Sequence, residues 1–173
     1  MSWGNLLQPD LVLTGSILKL TPELIQKHRL KGLVLDVDET LVPIKASEAS
    51  EELLPWVESV RQVATLWLVS NNISEPRIRR IAKTLELPYI AGAAKPSRRK
   101  LRKAVEAMGL PVEQVGMVGD RLLTDVLAGN RLGLFTILVE PMVDPNETVR
   151  RSPLHSLEVW ISQALGASLL PHK

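Results

Sequence analysis

Short apolar runs alternate along the chain with longer segments in which apolar residues recur every three or four positions. Gly32-Leu33-Val34-Leu35-Asp36-Val37 is apolar almost throughout and ends in carboxylates, the pattern of a strand buried on both faces. Residues 65–69, 88–91, 115–118 and 134–139 repeat it. Helical spacing fills the intervals. Glu51 to Gln62 carries Leu53, Leu54, Val57 and Val60 on one face. Ser74 reads as the cap of a second helix, with Pro76 in its first turn and Ile78, Ile81, Ala82 and Leu85 inward. Ser97 reads as the cap of a third, with Leu101, Ala104, Val105 and Met108 inward and Gly109 closing it. A fourth starts at Asp120 and ends near Gly129-Asn130. The order βαβαβαβαβ predicts an α/β protein of three layers, Rossmann-like, with a mostly parallel central sheet and helices on both faces. We expect one domain over residues 1–173, its core at about 30–140 and both terminal extensions packed on it.

In such sheets ligands sit at the carboxyl ends of the strands. The notable polar residues fall there. Asp36 and Asp38 follow the first predicted strand, Ser70 and Asn71 the second, Lys95 the third, and Gly119-Asp120 the fourth, with Asp125 five residues on. Carboxylates gathered in one crevice repel each other unless a cation neutralises them. Oxygen ligands point to Mg²⁺. The chain has no cysteine, which excludes disulfides, cysteine-bearing zinc sites and thiolate nucleophiles. Ser70, Asn71 and Lys95 then face an anion, with Thr40, Asn71 and Thr124 also read as structural support. A metal, a lysine, a hydroxyl donor and a spare carboxylate together describe phosphoryl transfer through an aspartyl-phosphate. Plainer readings remain for single residues: Asp120 as a helix cap, Asp125 as a surface carboxylate, Lys95 as a solvated loop lysine. His28, His155 and His172 show no ligand spacing and read as surface or tail residues.

These residues resemble a known family. Asp36-Val37-Asp38-Glu39-Thr40 resembles motif I of the haloacid dehalogenase (HAD) superfamily, DxDx[TV]. Ser70 resembles motif II, Lys95-Pro96 motif III, and Gly119-Asp120 through Asp125 motif IV, GDxxxxD. The resemblance implies that Asp36 is the nucleophile and that Asp38 is the general acid and base. It implies that Asp36, the carbonyl of Asp38, Asp120 and Asp125 hold Mg²⁺, while Ser70 and Lys95 bind the phosphoryl group. Only 31 residues separate Asp38 from Ser70, and 24 separate Ser70 from Lys95, too few for a cap domain. An open site with a short flap, residues 41–50, is expected. Leu7-Gln8-Pro9-Asp10, the segment 36–42 and the segment 119–133 are similar to the YqeG-type class IIIA HAD phosphatases, a group that includes phosphatidylglycerophosphate phosphatases. Glu39 departs from that group, which commonly has Asn there. The implied substrate is phosphatidylglycerophosphate. The rivals are a soluble nucleotide or sugar phosphate, or a non-catalytic RNA- or protein-binding module on the same fold.

Charge is segregated. The chain carries a net +2, yet residues 77–103 hold ten Lys or Arg against one acid, Glu86. Arg98, Arg99, Lys100, Arg102 and Lys103 crowd the start of a predicted helix, where the macrodipole disfavours cations and like charges meet at i,i+4. Contact with an anionic membrane surface would account for this. Nucleic acid is disfavoured, since Tyr89 is the one aromatic residue of that stretch. Apolar residues near the termini (Trp3, Leu6, Leu7, Leu11 and Leu13; Leu157, Trp160, Ile161, Ala164 and Leu165) read first as core packing and second as a membrane anchor. No apolar run reaches the length of a membrane span, and the N-terminus has no signal-like pattern. The expected location is cytoplasmic, with peripheral contact at a membrane.

Overall fold

The computed structural model describes residues 3–142 and 153–170. Its strands are β1 (Leu11–Val12), β2 (Gly32–Leu35), β3 (Thr65–Val69), β4 (Tyr89–Ile90), β5 (Val115–Gly119) and β6 (Phe135–Leu138). Its helices are α1 (Trp3–Leu6), α2 (Pro22–Lys27), α3 (Leu53–Arg61), α4 (Glu75–Leu85), α5 (Arg99–Met108), α6 (Leu127–Leu132) and α7 (Pro153–Ala164). The strands form one sheet in the order β1-β6-β5-β2-β3-β4, and every pairing is parallel. The α/β prediction holds, with one strand more than expected.

That strand, β1, pairs Leu11 and Val12 with Ile137 and Leu138 at the sheet edge. Two residues show no periodicity, so the pattern along the chain passed over it. Polar bonds place it instead. Thr136 donates to Asp10 Oδ2 through its main-chain N–H (2.8 Å) and its hydroxyl (3.1 Å). Asn130 donates to the carbonyls of Leu6 and Gln8, both at 2.8 Å. The Leu7–Asp10 segment is thus a clasp between the N-terminus, α6 and β6.

Alternation along the strands divides the core. Leu33 and Leu35 of β2 and Leu66 and Leu68 of β3 enter a cluster with Ile25 of α2, Val57 of α3 and Ile78 of α4. Val34 and Val69 point the other way, into a cluster with Leu101 and Val105 of α5 and Ala128 of α6. Each such side chain, fully buried, contributes about 1.5–3 kcal/mol. At Gly32, the start of β2, a Cβ would lie 2.7 Å from Met108 Sδ, at the end of α5. Helix α5 therefore runs antiparallel to the strands, and its basic first turn stands at the carboxyl edge of the sheet.

Only α3 lies between β2 and β3, and only α4 between β3 and β4, so neither interval holds a cap domain. Two predicted caps differ. Ser74 occupies the N-cap position of α4 without a side-chain bond to the helix, and its own N–H donates to Asn72 Oδ1 (2.8 Å). Helix α5 starts one residue later than Ser97 predicts, with Arg98 at the cap position. Gly109 closes α5 at φ 66°, as expected. His28 is not a plain surface residue: its ring lies tilted against that of Phe135, with centroids 4.8 Å apart. The side chains of His155 and His172 lie outside the described residues. Leu7 and Leu11 are core, whereas Trp3 (63%) and Trp160 (67%) are exposed, so the terminal stretches are not uniformly packed. Leu157 falls outside the described side chains. Among the described residues no helix is long and apolar enough to cross a membrane.

Candidate active site

Strand β2 ends at Leu35 and delivers Asp36 to the carboxyl edge, where the Asp36 N–H donates to Val118 O of β5 (2.9 Å). Asp36, Asp120 and Asp125 are all buried, and one oxygen of each lies within 4.8 Å of the others. Thr40 Oγ1 stands between two of them, 3.2 Å from Asp36 Oδ2 and 3.1 Å from Asp120 Oδ1. Its single proton serves one carboxylate at a time. Lys95 reaches in from the loop after β4. Its Nζ donates to Asp36 Oδ1 (2.7 Å) and Asp125 Oδ1 (2.6 Å). Lys95 thus joins Asp36 to Asp125, and Thr40 joins Asp36 to Asp120.

Asp125 arrives by a route the sequence does not advertise. Five residues along an α-helix correspond to about 140° of rotation, which separates Asp120 from Asp125. The chain instead makes a π-helical turn, Leu122–Val126, before α6 begins. The Asp125 carboxylate folds back to accept the N–H of Arg121 (3.3 Å). It lies so close to Gly119 that a Cβ there would overlap it. The predicted helix from Asp120 is therefore corrected: Arg121, not Asp120, holds the N-cap position of the turn. Asp120 binds Thr40 rather than serving as a simple cap.

Three acids against one lysine leave an uncompensated charge, and the titration reflects it. Burial, then Asp125, push Asp36 up to about 6 against the pull of Lys95. Burial, then Asp125, Asp36 and Glu39, push Asp120 up to about 8, with Arg121 opposing. Burial would lower Lys95, but Asp125 and Asp36 outweigh it and hold the ammonium above its ordinary range. A divalent cation fits this donor set. It would offset the burial and mutual repulsion that raise Asp36 and Asp120.

Ser70 is buried at the end of β3, and its Oγ accepts the N–H of Asn72 (3.0 Å). Asn71, expected to face an anion, turns its amide onto the main chain of Lys95. It donates to Lys95 O (3.0 Å) and accepts from Lys95 N–H (2.7 Å). That side chain fixes the Lys95 loop, in keeping with the support reading. The Asp38 carboxylate stands apart from the three-acid cluster and is half-buried. It accepts from Asn72 Nδ2 (3.1 Å) and Arg77 Nη1 (2.6 Å).

Sequence reasoning missed Asn72 and Arg77. Arg77 sits in the first turn of α4, where it looks like one more cation of a basic stretch. Its guanidinium also donates to Ala46 O (2.9 Å) and Pro43 O (3.4 Å), so it binds the predicted flap to Asp38. Glu39 shows why Asn suits its position: its φ is 63°, in the left-handed region that Asn tolerates better than Glu. Its carboxylate lies 3.6 Å from Arg121. Arg98, Arg99, Arg102, Lys103 and Arg131, with Glu106, line an open groove of about 710 Å³ beside α5. Arg98 Nη1 donates to Arg131 O (2.9 Å), and Arg131 Nη1 donates to Pro96 O (3.1 Å), next to Lys95.

A family model described as HAD-hydrolase-like matches residues 92–157, which include Lys95, Asp120 and Asp125. The chain is 35% identical over 136 residues to the Bacillus subtilis (strain 168) protein named "Probable phosphatase YqeG", covering 79% of each. It is 32% identical over 126 residues to the protein of Chlamydomonas reinhardtii named chloroplastic phosphatidylglycerophosphate phosphatase 1. That match covers 68% of this chain and 47% of the algal protein, so the chain spans about half of that relative. Among solved structures, NagD from Escherichia coli K-12 superposes with a TM-score of 0.54 at 15% identity, over 72% of this chain and 93% of that one. This last likeness is one of fold.

Proposed function

Since the chain belongs to the HAD family of phosphatases and is a phosphoric monoester hydrolase, we propose that it dephosphorylates phosphatidylglycerophosphate to phosphatidylglycerol, with Mg²⁺ as its metal. The observation that carries the substrate is the identity to the algal phosphatidylglycerophosphate phosphatase. An uncapped site with a basic rim supports it, because a lipid head group presented at a surface needs an open mouth. In this reading the chain is one capless domain that meets anionic membrane through Arg98, Arg99, Lys100, Arg102 and Lys103.

The contacts support the following chemistry. Asp36 attacks phosphorus, and the bond from phosphorus to the leaving oxygen breaks. Asp38, outside the acidic cluster and held by Arg77 and Asn72, gives that oxygen a proton. Water then attacks the aspartyl-phosphate. Asp38 takes the water's proton, phosphate leaves, and the Asp36 carboxylate returns. Lys95 balances charge on Asp36 and the phosphoryl oxygens, and Ser70 offers its hydroxyl to the latter. Asp36, Asp120 and Asp125, with the carbonyl of Asp38, would hold the Mg²⁺, which would supply charge neutralisation for the transferring group.

The test is phosphate release from phosphatidylglycerophosphate in phosphatidylglycerol vesicles, with and without Mg²⁺. Release that needs Mg²⁺ and falls at least about 10³-fold in Asp36→Asn is expected. Turnover of soluble phosphate esters with none of the lipid would overturn the substrate assignment. Function that survives Asp36→Asn would favour a non-catalytic module.

A further inference from the structure

Two large aliphatic side chains stand in solvent on segments tied to Asp38. Ile73 is 89% exposed and Ile44 is 51% exposed. Scattered single apolar residues on a surface are ordinary. These two are not scattered. Ile73 follows Asn72, whose amide donates to Asp38. Ile44 lies between Pro43 and Ala46, whose carbonyls accept from Arg77, and Arg77 also donates to Asp38. Both isoleucines therefore ride on segments clamped to one carboxylate, at the mouth of the site.

Their surroundings favour an anionic surface. Above Gly92, Ile73 Cγ2 and Lys100 Nζ come within 3.9 and 3.6 Å of the same point, the place a Cβ would occupy. Lys100 Nζ is tied there by the carbonyls of Ala91 and Gly92, at 2.9 and 2.8 Å. Helix α5 presents Arg98, Arg99 and Arg102 from the same edge of the sheet, all exposed. Among the described residues no ion pair joins these arginines or Lys100 to an acid. Glu48, Glu51 and Glu52 follow Ile44, so the apolar and basic features coincide most closely at Ile73. A protein partner would accept exposed isoleucine equally well. Arg98, Arg99, Lys100 and Arg102, unpaired with any acid among the described residues, select a surface of anionic headgroups instead.

We infer that Ile44 and Ile73 form an apolar lip that inserts between the headgroups of an anionic bilayer, Ile73 the deeper. The lip would seat the mouth over a phosphomonoester held in the membrane plane. The inference rests on the proposed lipid substrate, and it adds which edge of the molecule meets the bilayer and how.

Absence of cysteine makes the test clean, because Ile73→Cys and Ile44→Cys each introduce a single labelling site. With an environment-sensitive nitrobenzoxadiazole label, emission is expected to shift to the blue on phosphatidylglycerol vesicles and to be quenched by spin-labelled lipid. Neutral phosphatidylcholine vesicles are expected to leave it unchanged. Ile73→Ser should lower the vesicle partition coefficient by about tenfold. Binding to phosphatidylglycerol vesicles with both labels still aqueous overturns the lip, as does failure to bind at all. A blue shift that grows with protein concentration and needs no vesicles overturns it in favour of self-association. Hydrolysis of phosphatidylglycerophosphate in detergent micelles is measured separately. Hydrolysis with aqueous labels refutes the lip and leaves the substrate standing, whereas buried labels without hydrolysis refute the substrate and leave the lip.

Discussion

Arg77 Nη1 lies 2.6 Å from Asp38 Oδ1, and the pair joins the first turn of α4 to the loop that follows β2. Both side chains are largely shielded, at 14% and 22% exposure, so this contact is less screened than an ordinary surface ion pair. The same guanidinium holds the carbonyls of Pro43 and Ala46. Arg77 is therefore a positioning residue for the proposed acid and base, and it closes the flap with the same group.

Arg77→Ala is expected to lower kcat by about 10- to 100-fold, with a smaller change in KM, since losing the positioning of Asp38 should forfeit part of the roughly 10²–10⁴-fold that general acid-base catalysis contributes. Arg77→Lys should recover little, because an ammonium does not reproduce the planar fork that meets three acceptors. Steady-state kinetics measure both. Limited proteolysis supplies a second readout: the alanine variant should be cut faster within residues 43–50. Unchanged kcat would refute the positioning role.

Metal dependence should be coupled to pH. Asp36 and Asp120 are raised to about 6 and about 8 in the folded, metal-free chain. A raised carboxyl binds its proton more tightly folded than unfolded, so metal-free stability falls as pH rises from the ordinary carboxylate range through these values. Mg²⁺ binds the ionised form and removes the penalty. Thermal melts should give a metal-free Tm lower at pH 8 than at pH 5.5. Mg²⁺ should raise Tm by about 5 °C or more at pH 8 and by less at pH 5.5. An equal effect at both pH values would contradict the coupling.

Gly119→Ala places a methyl group where the Asp125 carboxylate sits. Asp125 must move, and Lys95 then loses one of its two partners. Expected are a stability loss of about 1–3 kcal/mol in urea and a weaker response of Tm to Mg²⁺. Gly109→Ala is a useful contrast. That position is open but has positive φ, so the strain is in the backbone alone and the Mg²⁺ response should survive.

Glu39→Asn relieves a left-handed backbone and removes a negative charge that raises Asp120. The Arg121 contact it sacrifices is long, at 3.6 Å, and partly exposed. Urea denaturation should find the variant more stable by about 0.5 kcal/mol. The pH at which Mg²⁺ begins to stabilise the protein should move down, toward acid. No movement would mean that Glu39 is too well solvated to influence Asp120.

Much of the site was legible because it is assembled from strand ends. Parallel strands carry whatever follows them to one edge, so the positions of Asp36 and Lys95 in sequence already implied their meeting. Glu39 was legible as a departure but not as a strained residue, since φ is not written in residue type. Arg77 was hidden among ten basic residues of one stretch. Nothing local distinguishes it from Arg79, whose guanidinium pairs with exposed Glu75 of its own helix.

By itself the sequence determined the layered α/β class, the parallel sheet and most of the polar residues at the carboxyl edge. Those features follow from periodicity and chain order, which are local. It did not determine every inward face: Leu54, read as inward on α3, is exposed, and Trp56 is buried there instead. Tertiary structure alone decided the rest. It set the pairing of Asp10 with Thr136, 126 residues apart, that makes β1 a strand. It chose the π turn that brings Asp125 over Gly119, and it separated Arg77 from its neighbours by giving it Asp38, 39 residues away. Each of these is a contact between segments whose local preferences permit several conformations. The packed neighbour selects among them, because a buried donor or acceptor left unpaired costs about 1–3 kcal/mol.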